Sequence, residues 1–429
     1  MIAAGMKGSE AAVEGRSDGL LSDVRVLDFG RVFAGPHAAL LLRSLGAEVI
    51  KIERPVLGDD SRANSYLYPQ GISGYFMQQN WGKKSLSLNL KQPQAREVVQ
   101  KLVEHSDVLI ENFRPGTMAK LGLGWEDLLR LNPRLVMCSI SAFGQTGPDA
   151  GRAGYGAMAE ARAGIPEMTG EPDGPPMPTV LPIADAMAAS HAFGAICAAL
   201  YSRERTGKGE YLDIALLDCA VEMHDWGIQQ FLGSRGAINP IRRGLFDRSI
   251  VPWGYFKGRG GWICLIVSND SFWGKLARLM TRPELADDPR YATVEARAQN
   301  HVDVYRLVSD WISSFMDTDE VLATLQAADL PADRLQSIAE VVKDAQLRAR
   351  NMFLDVEHPL LGPLTVLNTA IRSEAASSGL TGLPPLLGQH NEEVLGSLGY
   401  SVDEVRRLYD QGIIYREPLV DDLEQLAAL

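Results

Sequence analysis

"VRVLDFGRVFAGPHAALLLRSLGAEVIKIE", residues 24–53, is the stretch that decides the fold. Residues 24–29 and 48–53 are short β-type runs, and residues 36–46 between them have the spacing of a helix. A strand, a helix and a second strand in this order predict two parallel strands, because the crossover through the helix is right-handed. The stretch therefore predicts the first unit of a parallel sheet.

The same rhythm continues through the first half of the chain. Helical patterns cover residues 94–105 and 125–131, and β-type runs cover residues 107–112, 134–140 and 209–216. Alternation of helices and strands indicates an open α/β sheet. We therefore predict an α/β fold with a Rossmann-like large domain built on an open parallel sheet.

The pattern changes after about residue 220. A hairpin is predicted over residues 252–267 and amphipathic helices within 270–329, which is typical of a smaller α+β domain. A strand over residues 363–368 and two short helices within 388–414 are predicted near the end. The predicted organisation is a flexible N-terminal tail (1–20), a large domain in two parts (21–216 and 366–429), a small α+β domain (245–345) and two linkers (217–244 and 346–365).

Charge and hydropathy limit the partners of the chain. With 54 acidic and 42 basic residues, its formal net charge of −12 disfavours nucleic acid and anionic lipid. The first 19 residues lack the apolar core of a secretion signal and contain acids that a mitochondrial transit peptide avoids. The most apolar run, residues 187–201, is shorter than the roughly 20 residues that span a bilayer, and predicts a buried helix. We expect no nucleic acid and no membrane as partners.

The cysteines indicate the compartment. The chain contains four of them, widely spaced and without a C-x-x-C pair: Cys138, Cys197, Cys219 and Cys264. This pattern disfavours a disulfide framework and a structural zinc site, and favours a reducing compartment. We therefore expect a cytoplasmic protein. No H-E-x-x-H or similar spacing is present, so no metal is expected.

Asp185 is the only formally charged residue between Asp173 and Arg203. One interpretation is a helix N-cap, since an aspartate before an alanine-rich helical stretch satisfies an unpaired backbone N–H. The other is a nucleophile, because a carboxylate at the positive end of a helix, with little competing charge nearby, remains ionised. The two interpretations are compatible, since a capping carboxylate keeps a second oxygen.

Two features of the first third suggest an anionic ligand. The turn "GRVFAG", residues 30–35, lacks both G-x-G-x-x-G and a Walker motif, but leaves N–H groups at a helix start that face a phosphate or thioester in such turns. Basic residues follow the predicted strand ends, where open α/β sheets bind ligands, so they indicate either a solvated face or a polyphosphate site. They are Lys51, Arg54, Arg62, Lys83, Lys84, Lys91, Arg114 and Lys120.

The histidines give little support for hydrolysis. His191 lies six positions after Asp185, on another face of a regular helix, and is interpreted as packed. His224 and Asp225 are adjacent, but no G-x-S-x-G motif accompanies them. A hydrolase or a metalloenzyme is therefore disfavoured.

A series of motifs extends from about Leu21 to Ile414: "VLDFGRVFAGP", "LGAEVIKIERPVLGDDSR", "GKKSLSLNL", "DVLIENFRPGTMAKLG", "NPRLVMCSISAFGQTGP", "MTGEPDGPP", "IADAMAA", "RTGKGEYLDIALLD" and "PLLGQHNEEVLGSLGY". No single motif is decisive, but the order and spacing of the motifs are specific. Through them the chain resembles the family III CoA-transferases, the formyl-CoA and carnitine CoA-transferase group.

The resemblance implies a catalytic aspartate. In that family the nucleophile follows a tyrosine at the end of a Gly-rich loop by about 30 residues, a spacing that Tyr155 and Asp185 share. It implies CoA transfer from an acyl-CoA to a carboxylic acid through an aspartyl-CoA thioester, with no further cofactor. It also implies an interlocked homodimer whose active site lies between the large domain of one subunit and the small domain of the other. The implied CoA contacts are Val32, Ala34, Arg54, Leu88, Lys91, Asn112, Phe113 and Lys120, and the implied substrate pocket is Phe33, Tyr75, Tyr155 and Gly156.

Departures from the family pattern narrow the substrate. Formyl-CoA transferases have glutamine where this chain has Phe33 and an acid where it has Gly156, and residues 242–256 lack their run of glycines. Since phenylalanine cannot hydrogen-bond a small carboxylate, we expect an organic acid other than oxalate or formate. The alternative is a proton-transfer enzyme similar to the α-methylacyl-CoA racemases. That group has a His-Asp pair where this chain has Tyr155 and Gly156, so the alternative ranks second.

Overall fold

The computed structural model describes residues 19–64, 66–421 and 423, so most of the predicted tail over residues 1–20 lies outside the described residues. The chain forms two compact units. The first comprises the residues up to 163, residues 181–225 and the residues from 348 onward. The second comprises residues 164–180 and 226–347.

A six-stranded parallel sheet forms the centre of the first unit. Its strands are β1 (Arg25–Asp28), β2 (Glu48–Glu53), β3 (Lys84–Ser87), β4 (Val108–Glu111), β5 (Val136–Ser141) and β6 (Glu210–Ala215). Their order is β3-β2-β1-β4-β5-β6, and every neighbouring pair is parallel. Strands β4 and β5 are buried along their whole length, as expected for a parallel sheet covered on both faces. The predicted open parallel sheet is confirmed, with β3 as a strand that we did not predict.

Helices follow most strands. Those of the first half are α1 (Ala34–Arg43), α2 (Gly74–Asn80), α3 (Pro93–Glu104), α4 (Thr117–Lys120), α5 (Trp125–Leu131), α6 (Gly156–Arg162), α7 (Ile183–Thr206) and α8 (Leu216–Glu222). Those of the second half are α9 (Gly227–Gly233), α10 (Asp270–Leu279), α11 (Val294–Gln299), α12 (His301–Ser314), α13 (Thr318–Ala327), α14 (Ile338–Val341), α15 (Ala345–Ala349), α16 (Asn391–Ser397) and α17 (Val402–Asp410). Short 3₁₀ turns lie at Asp60–Ala63, Pro166–Met168 and Pro283–Ala286.

One face of the sheet carries a large apolar core. Helix α3 contributes Val98, Val99 and Leu102 to it because these residues recur on one side of the helix. The C-terminal helices α16 and α17 close the same core with Leu395 and Val405. The two short helices predicted near the end are therefore confirmed, and they tie the end of the chain to the sheet.

Helix α7 packs against α1, α6, α8 and the strands β5 and β6. Among the helices that the structure describes, only α7 is long and apolar enough to cross a membrane, a test that core helices of soluble proteins also pass. Ala188, Ala192 and Ile196 are buried, whereas Tyr201 is 68% exposed. The predicted burial of this helix therefore holds for one face only within this chain.

Antiparallel sheets complete the two units. In the second unit β7 (Trp253–Gly258) and β8 (Gly261–Ile266) form the predicted hairpin, and β9 (Ala332–Arg334) adds to β8. Gly260 takes a φ of 97° in the turn of this hairpin, a conformation that favours glycine. In the first unit β10 (Phe353–His358) pairs with β11 (Gly362–Leu367), which lies within the strand predicted over 363–368 except for its first residue.

Candidate active site

The carboxyl ends of the parallel strands bring the predicted CoA contacts to one edge of the sheet. Strand β1 lies between β2 and β4, so the strand order reverses at β1, the point where open α/β sheets bind ligands. The predicted contacts follow the ends of β1 to β4 in the chain: Val32 and Ala34 after β1, Arg54 after β2, Leu88 and Lys91 after β3, and Asn112, Phe113 and Lys120 after β4.

Side chains occupy the first amides of the turn after β1. The N–H of Gly30 donates to Asp28 Oδ1 (2.8 Å), that of Arg31 to Asn112 Oδ1 (2.7 Å) and that of Val32 to Asp59 Oδ1 (3.0 Å). The amides of Gly30, Arg31 and Val32 are therefore not open to a ligand. The amides that remain lie in residues 33–35 at the start of α1, where a helix leaves its first N–H groups without intrahelical partners.

The basic residues of this region fall into two groups. The side chains of Lys51 and Lys83 are fully buried and pair with Asp59 (2.9 Å) and Asp28 (2.7 Å), so they form neither a solvated face nor a phosphate site. Arg62 likewise pairs with the buried Glu53. The partly exposed side chains of Arg54 and Lys84 also belong to the paired group, with Asp60 and Glu48 as their partners. Three further basic residues follow the ends of β3 and β4 and are exposed: Lys91, Arg114 and Lys120. Their exposure leaves them able to bind an anionic ligand.

Asp185 is the third residue of α7 and does not cap it. The residue before the helix is Pro182, which makes no side-chain capping bond, and the amide of Ala184 donates to Glu160 Oε1 (3.1 Å) from helix α6. The N-cap interpretation of Asp185 is therefore wrong, because the helix begins three residues earlier than an N-cap at Asp185 implies. Burial raises the pKa of Asp185 to about 6, and the carboxylate of Glu160 adds to the rise.

Gly156 faces the Asp185 carboxylate. It is the first residue of α6, and a Cβ placed on it would lie 1.9 Å from Asp185 Oδ2. This distance is shorter than any non-bonded contact, so a side chain here displaces the carboxylate. Tyr155 precedes it and is 72% exposed in this chain. Of these two predicted pocket residues, Gly156 therefore lies against Asp185, whereas the ring of Tyr155 lies at the surface of this chain.

Two other predicted pocket residues form an aromatic group. The ring centroids of Phe33 and Tyr75 are 6.4 Å apart, and Phe33 stacks on His37 at 5.1 Å. Burial raises the pKa of Tyr75 to about 12, and the negative charges of Asp185 and Asp59 add to the rise. The phenol is therefore protonated at neutral pH and able to donate a hydrogen bond.

Several residues of this neighbourhood were not predicted. Glu160, His37 and Asp59 contact the predicted residues from other elements: the first holds the start of α7, the second stacks on Phe33, and the third holds Val32. Each acts across a sequence separation of 4 to 27 residues, and no local motif marks Glu160 or Asp59. Only the contact of His37 with Phe33 was indicated by the sequence, because residues four positions apart lie on the same face of a helix.

The two histidines considered for hydrolysis, His191 and His224, have partners that fix them. His191 Nε2 lies 2.6 Å from Glu222 Oε2, and His224 Nε2 donates to the carbonyl of Ala163 (2.7 Å). A cavity of about 40 Å³ lined by Arg62, Phe76 and Met77 does not include Asp185 and has room for about one water molecule. Neither feature forms a second candidate site. Asp185 itself is only partly buried.

The fold and this neighbourhood define an α/β enzyme with a partly buried carboxylate beside the ligand-binding edge of a parallel sheet. The family described as CoA-transferase family III matches residues 21–391. The chain therefore belongs to CoA-transferase family III, and it is an enzyme that acts as a CoA-transferase.

Similar proteins cover nearly the whole chain. It is 35% identical over 396 residues to the mouse succinyl-CoA:glutarate CoA-transferase, covering 92% of this chain and 90% of that protein. It is 35% identical over 413 residues to the formyl-CoA:oxalate CoA-transferase of Streptomyces avermitilis, covering 92% of this chain and 99% of that protein. The solved structure of a CaiB/BaiF family protein from Brucella suis superposes with a TM-score of 0.79 at 35% identity, covering 89% of this chain and 100% of that chain.

Proposed function

We propose that Asp185 is the nucleophile that carries CoA between two acids. Its carboxylate attacks the carbonyl of the donor thioester and expels CoA thiolate, leaving a mixed anhydride. The thiolate then attacks the aspartyl carbonyl, which releases the donor acid and leaves an aspartyl-CoA thioester. The acceptor carboxylate attacks this thioester and expels CoA thiolate, leaving a second mixed anhydride. The thiolate then attacks the acceptor carbonyl of this anhydride, which restores the Asp185 carboxylate and releases the new acyl-CoA.

The observation that carries the proposal is the position of the Asp185 carboxylate. It lies in the first turn of α7 and against Gly156, without serving as the cap of its helix. A pKa of about 6 leaves it mostly ionised at pH 7, and partial burial reduces the solvation that weakens a carboxylate as a nucleophile. The positive end of the α7 dipole opposes full protonation.

Other residues stabilise the oxyanion and bind CoA. The protonated phenol of Tyr75 donates to the oxyanion that forms when the thioester carbonyl is attacked, an interaction worth about 2.7–4 kcal/mol per donor in other acyl transfers. The exposed Lys91 and Lys120 bind the phosphates of CoA, and the amides at residues 33–35 face its acyl-pantetheine end.

The acids are proposed to be dicarboxylates longer than oxalate. Both named relatives act on a dicarboxylic acceptor, glutarate in one and oxalate in the other. In this chain the Phe33 ring, stacked on His37 and near Tyr75, contributes an apolar wall where glutamine binds a small carboxylate in formyl-CoA transferases. An apolar wall favours the methylene groups of a longer diacid, by about 0.8 kcal/mol for each buried methylene.

A panel of acceptors tests this function. With succinyl-CoA as donor, we expect transfer to glutarate and related diacids at least about tenfold faster than to oxalate or formate, as two or more buried methylenes imply. Equal or faster transfer to oxalate would contradict the substrate class. Deuterium from solvent entering the acyl α-carbon without CoA transfer would instead support the racemase-like alternative.

The active enzyme is proposed to be an interlocked homodimer in a reducing, cytoplasmic compartment. The exposed apolar side chains of the first unit support a partner surface: Tyr155, Met158, Leu181 and Tyr201 are between 52% and 72% exposed. The open face of α7 carries Ser190, Gly194 and Ala198 at intervals of four, which lets a second helix approach closely. Sedimentation at the mass of two chains is expected, and a single-chain mass would contradict the assembly.

A Glu160→Gln substitution is expected to move the acid limb of the pH profile to lower pH. For the wild type, kcat/KM is expected to fall about tenfold per pH unit below about pH 6, because Asp185 is then protonated. Glutamine keeps an oxygen for the Ala184 amide but removes the negative charge that helps to raise the pKa of Asp185. The measurement is kcat/KM for acyl-CoA between pH 4.5 and 8, a range chosen to span about one unit or more on either side of that pKa.

The control for this shift is Glu111→Gln. Burial raises the pKa of Glu111 to about 7, so this residue titrates in the same range from the end of β4. If the acid limb moved in Glu111→Gln and stayed in place in Glu160→Gln, the limb would belong to Glu111 and not to Asp185.

A further inference from the structure

The turn that joins β1 to α1 holds a strained residue. Val32 has a φ of 65°, a left-handed conformation that is unfavourable for a β-branched side chain. Such strain persists only where surrounding contacts hold it, and it concentrates at functional sites. The residues that follow Val32 are Phe33 and Ala34, which begin α1 and lie at the ligand-binding edge of the sheet.

A buried ion pair holds this turn from the neighbouring strand. Lys51, in β2, donates from Nζ to the carbonyl of Gly30 (2.8 Å) and lies 2.9 Å from Asp59 Oδ2. Asp59 accepts the N–H of Val32 (3.0 Å) and that of Ser61 (2.9 Å). Both charged side chains are completely buried. The pair, hereafter the Lys51–Asp59 clamp, therefore hydrogen-bonds to the backbone of Gly30 and Val32, the residues on either side of Arg31.

The charge of Asp59 is needed for this set of contacts. Its two oxygens serve two amides and one ammonium, whereas an asparagine offers one oxygen and presents an NH₂ group to Lys51. Burial alone would raise the pKa of Asp59, but Lys51 and the amides of Ser61 and Val32 hold it below its ordinary range. Asn112, which follows β4, holds the turn from the other side. Its side-chain oxygen accepts the backbone N–H of Arg31 (2.7 Å), and its side-chain NH₂ donates to the carbonyl of Arg31 (2.9 Å).

We propose that Asp59, fixed by Lys51, is a positioning residue that keeps Val32 in its left-handed conformation so that the start of α1 is preformed for acyl-CoA. The inference rests on the proposed function in one respect, the docking of CoA at this edge of the sheet. Neither clamp residue touches the reacting atoms. Their role is to remove the free-energy cost of ordering the turn when CoA binds.

The test is a double-mutant cycle between Asp59→Asn and Val32→Gly. Asp59→Asn is expected to raise the KM for acyl-CoA and the Kd for CoA by about tenfold, with kcat and the KM for the acceptor changed by less than about threefold. In a Val32→Gly background the same substitution is expected to have little further effect, because glycine adopts a φ of 65° without a clamp. A merely structural role of Asp59 predicts no such rescue.

Asp107→Asn is the matched control. Asp107 also accepts a backbone N–H, that of Arg25 (2.8 Å), and pairs with an arginine, Arg203 (2.9 Å), but it precedes β4 at the opposite edge of the sheet. It is expected to lower stability without changing the KM for acyl-CoA. Should Asp59→Asn fail to fold, the pair Lys51→Met with Asp59→Leu removes both charges together and is expected to raise the same KM.

The outcomes separate the clamp from the proposed function. An unchanged Kd for CoA in folded Asp59→Asn, or in the Lys51→Met and Asp59→Leu pair, would overturn the clamp, as would an increase that Val32→Gly does not rescue. Calorimetric titration of CoA itself supplies this Kd and does not depend on turnover. Failure of the wild-type enzyme to form an aspartyl-CoA thioester would overturn the proposed chemistry and leave the cycle on CoA binding unaffected.

Discussion

An Asp185→Asn variant is expected to lose CoA transfer by about 10⁴-fold or more, the scale on which other covalent enzymes respond to loss of their nucleophile. The amide is isosteric with the carboxylate and fits the space beside Gly156, but it cannot form the anhydride or the thioester. The initial rate of exchange between succinyl-CoA and glutarate measures this loss. Binding of CoA is expected to remain within about threefold, because the nucleophile is not among the predicted CoA contacts.

The covalent intermediate gives a second readout for the same variant. Wild-type enzyme incubated with acyl-CoA and no acceptor is expected to gain the mass of CoA less one water on the peptide that contains Asp185. Asp225→Asn is the matched control, since Asp225 is an exposed aspartate beside His224 in the same unit. An adduct that persists in Asp185→Asn, or that disappears in Asp225→Asn, would show that the nucleophile is another residue.

The alternation of strands and helices predicted most of the central sheet because its strands are apolar runs. Strand β3 escaped prediction because its sequence, KSLS, has serine at alternate positions although both serines are buried. Ser85 Oγ donates to Glu53, and the amide of Ser87 donates to Asn391, which lies more than 300 residues further along the chain. Polar side chains buried by such long-range bonds leave no hydropathy signal.

The local geometry around the residues proposed for the site was not predictable from the sequence. Family resemblance indicated Asp185, whereas the alanine-rich pattern alone indicated a helix cap. The cap assignment failed because Glu160, 24 residues upstream, accepts the amide of Ala184 and lets the helix start earlier. The basic cluster shows the same limit. Lys83 is buried against Asp28, which lies 55 residues earlier in β1, and Lys51 is buried against Asp59 in the loop that follows β2.

Gly156→Ala is expected to reduce kcat by about 10²-fold, because a shift of about 1 Å in a reacting group is enough for such a loss. The added Cβ would stand 1.9 Å from Asp185 Oδ2 if nothing moved, so the carboxylate has to rotate or shift away. Gly156 is not in the left-handed region, and alanine is a good helix former, so the fold is expected to tolerate the change. Steady-state kcat for the transfer and the rate of adduct formation on Asp185 measure the effect.

The control for Gly156→Ala is Gly151→Ala, five residues earlier in the loop that leads to α6. A Cβ on Gly151 meets no atom within 4 Å, so kcat is expected to stay within about twofold of the wild type. The contrast separates a general effect of stiffening the loop from displacement of the carboxylate. If Gly156→Ala kept the wild-type kcat, Asp185 would tolerate a different position, and the glycine facing it would have no part in placing the nucleophile. If both variants lost activity equally, the loop and not the carboxylate would be the sensitive element.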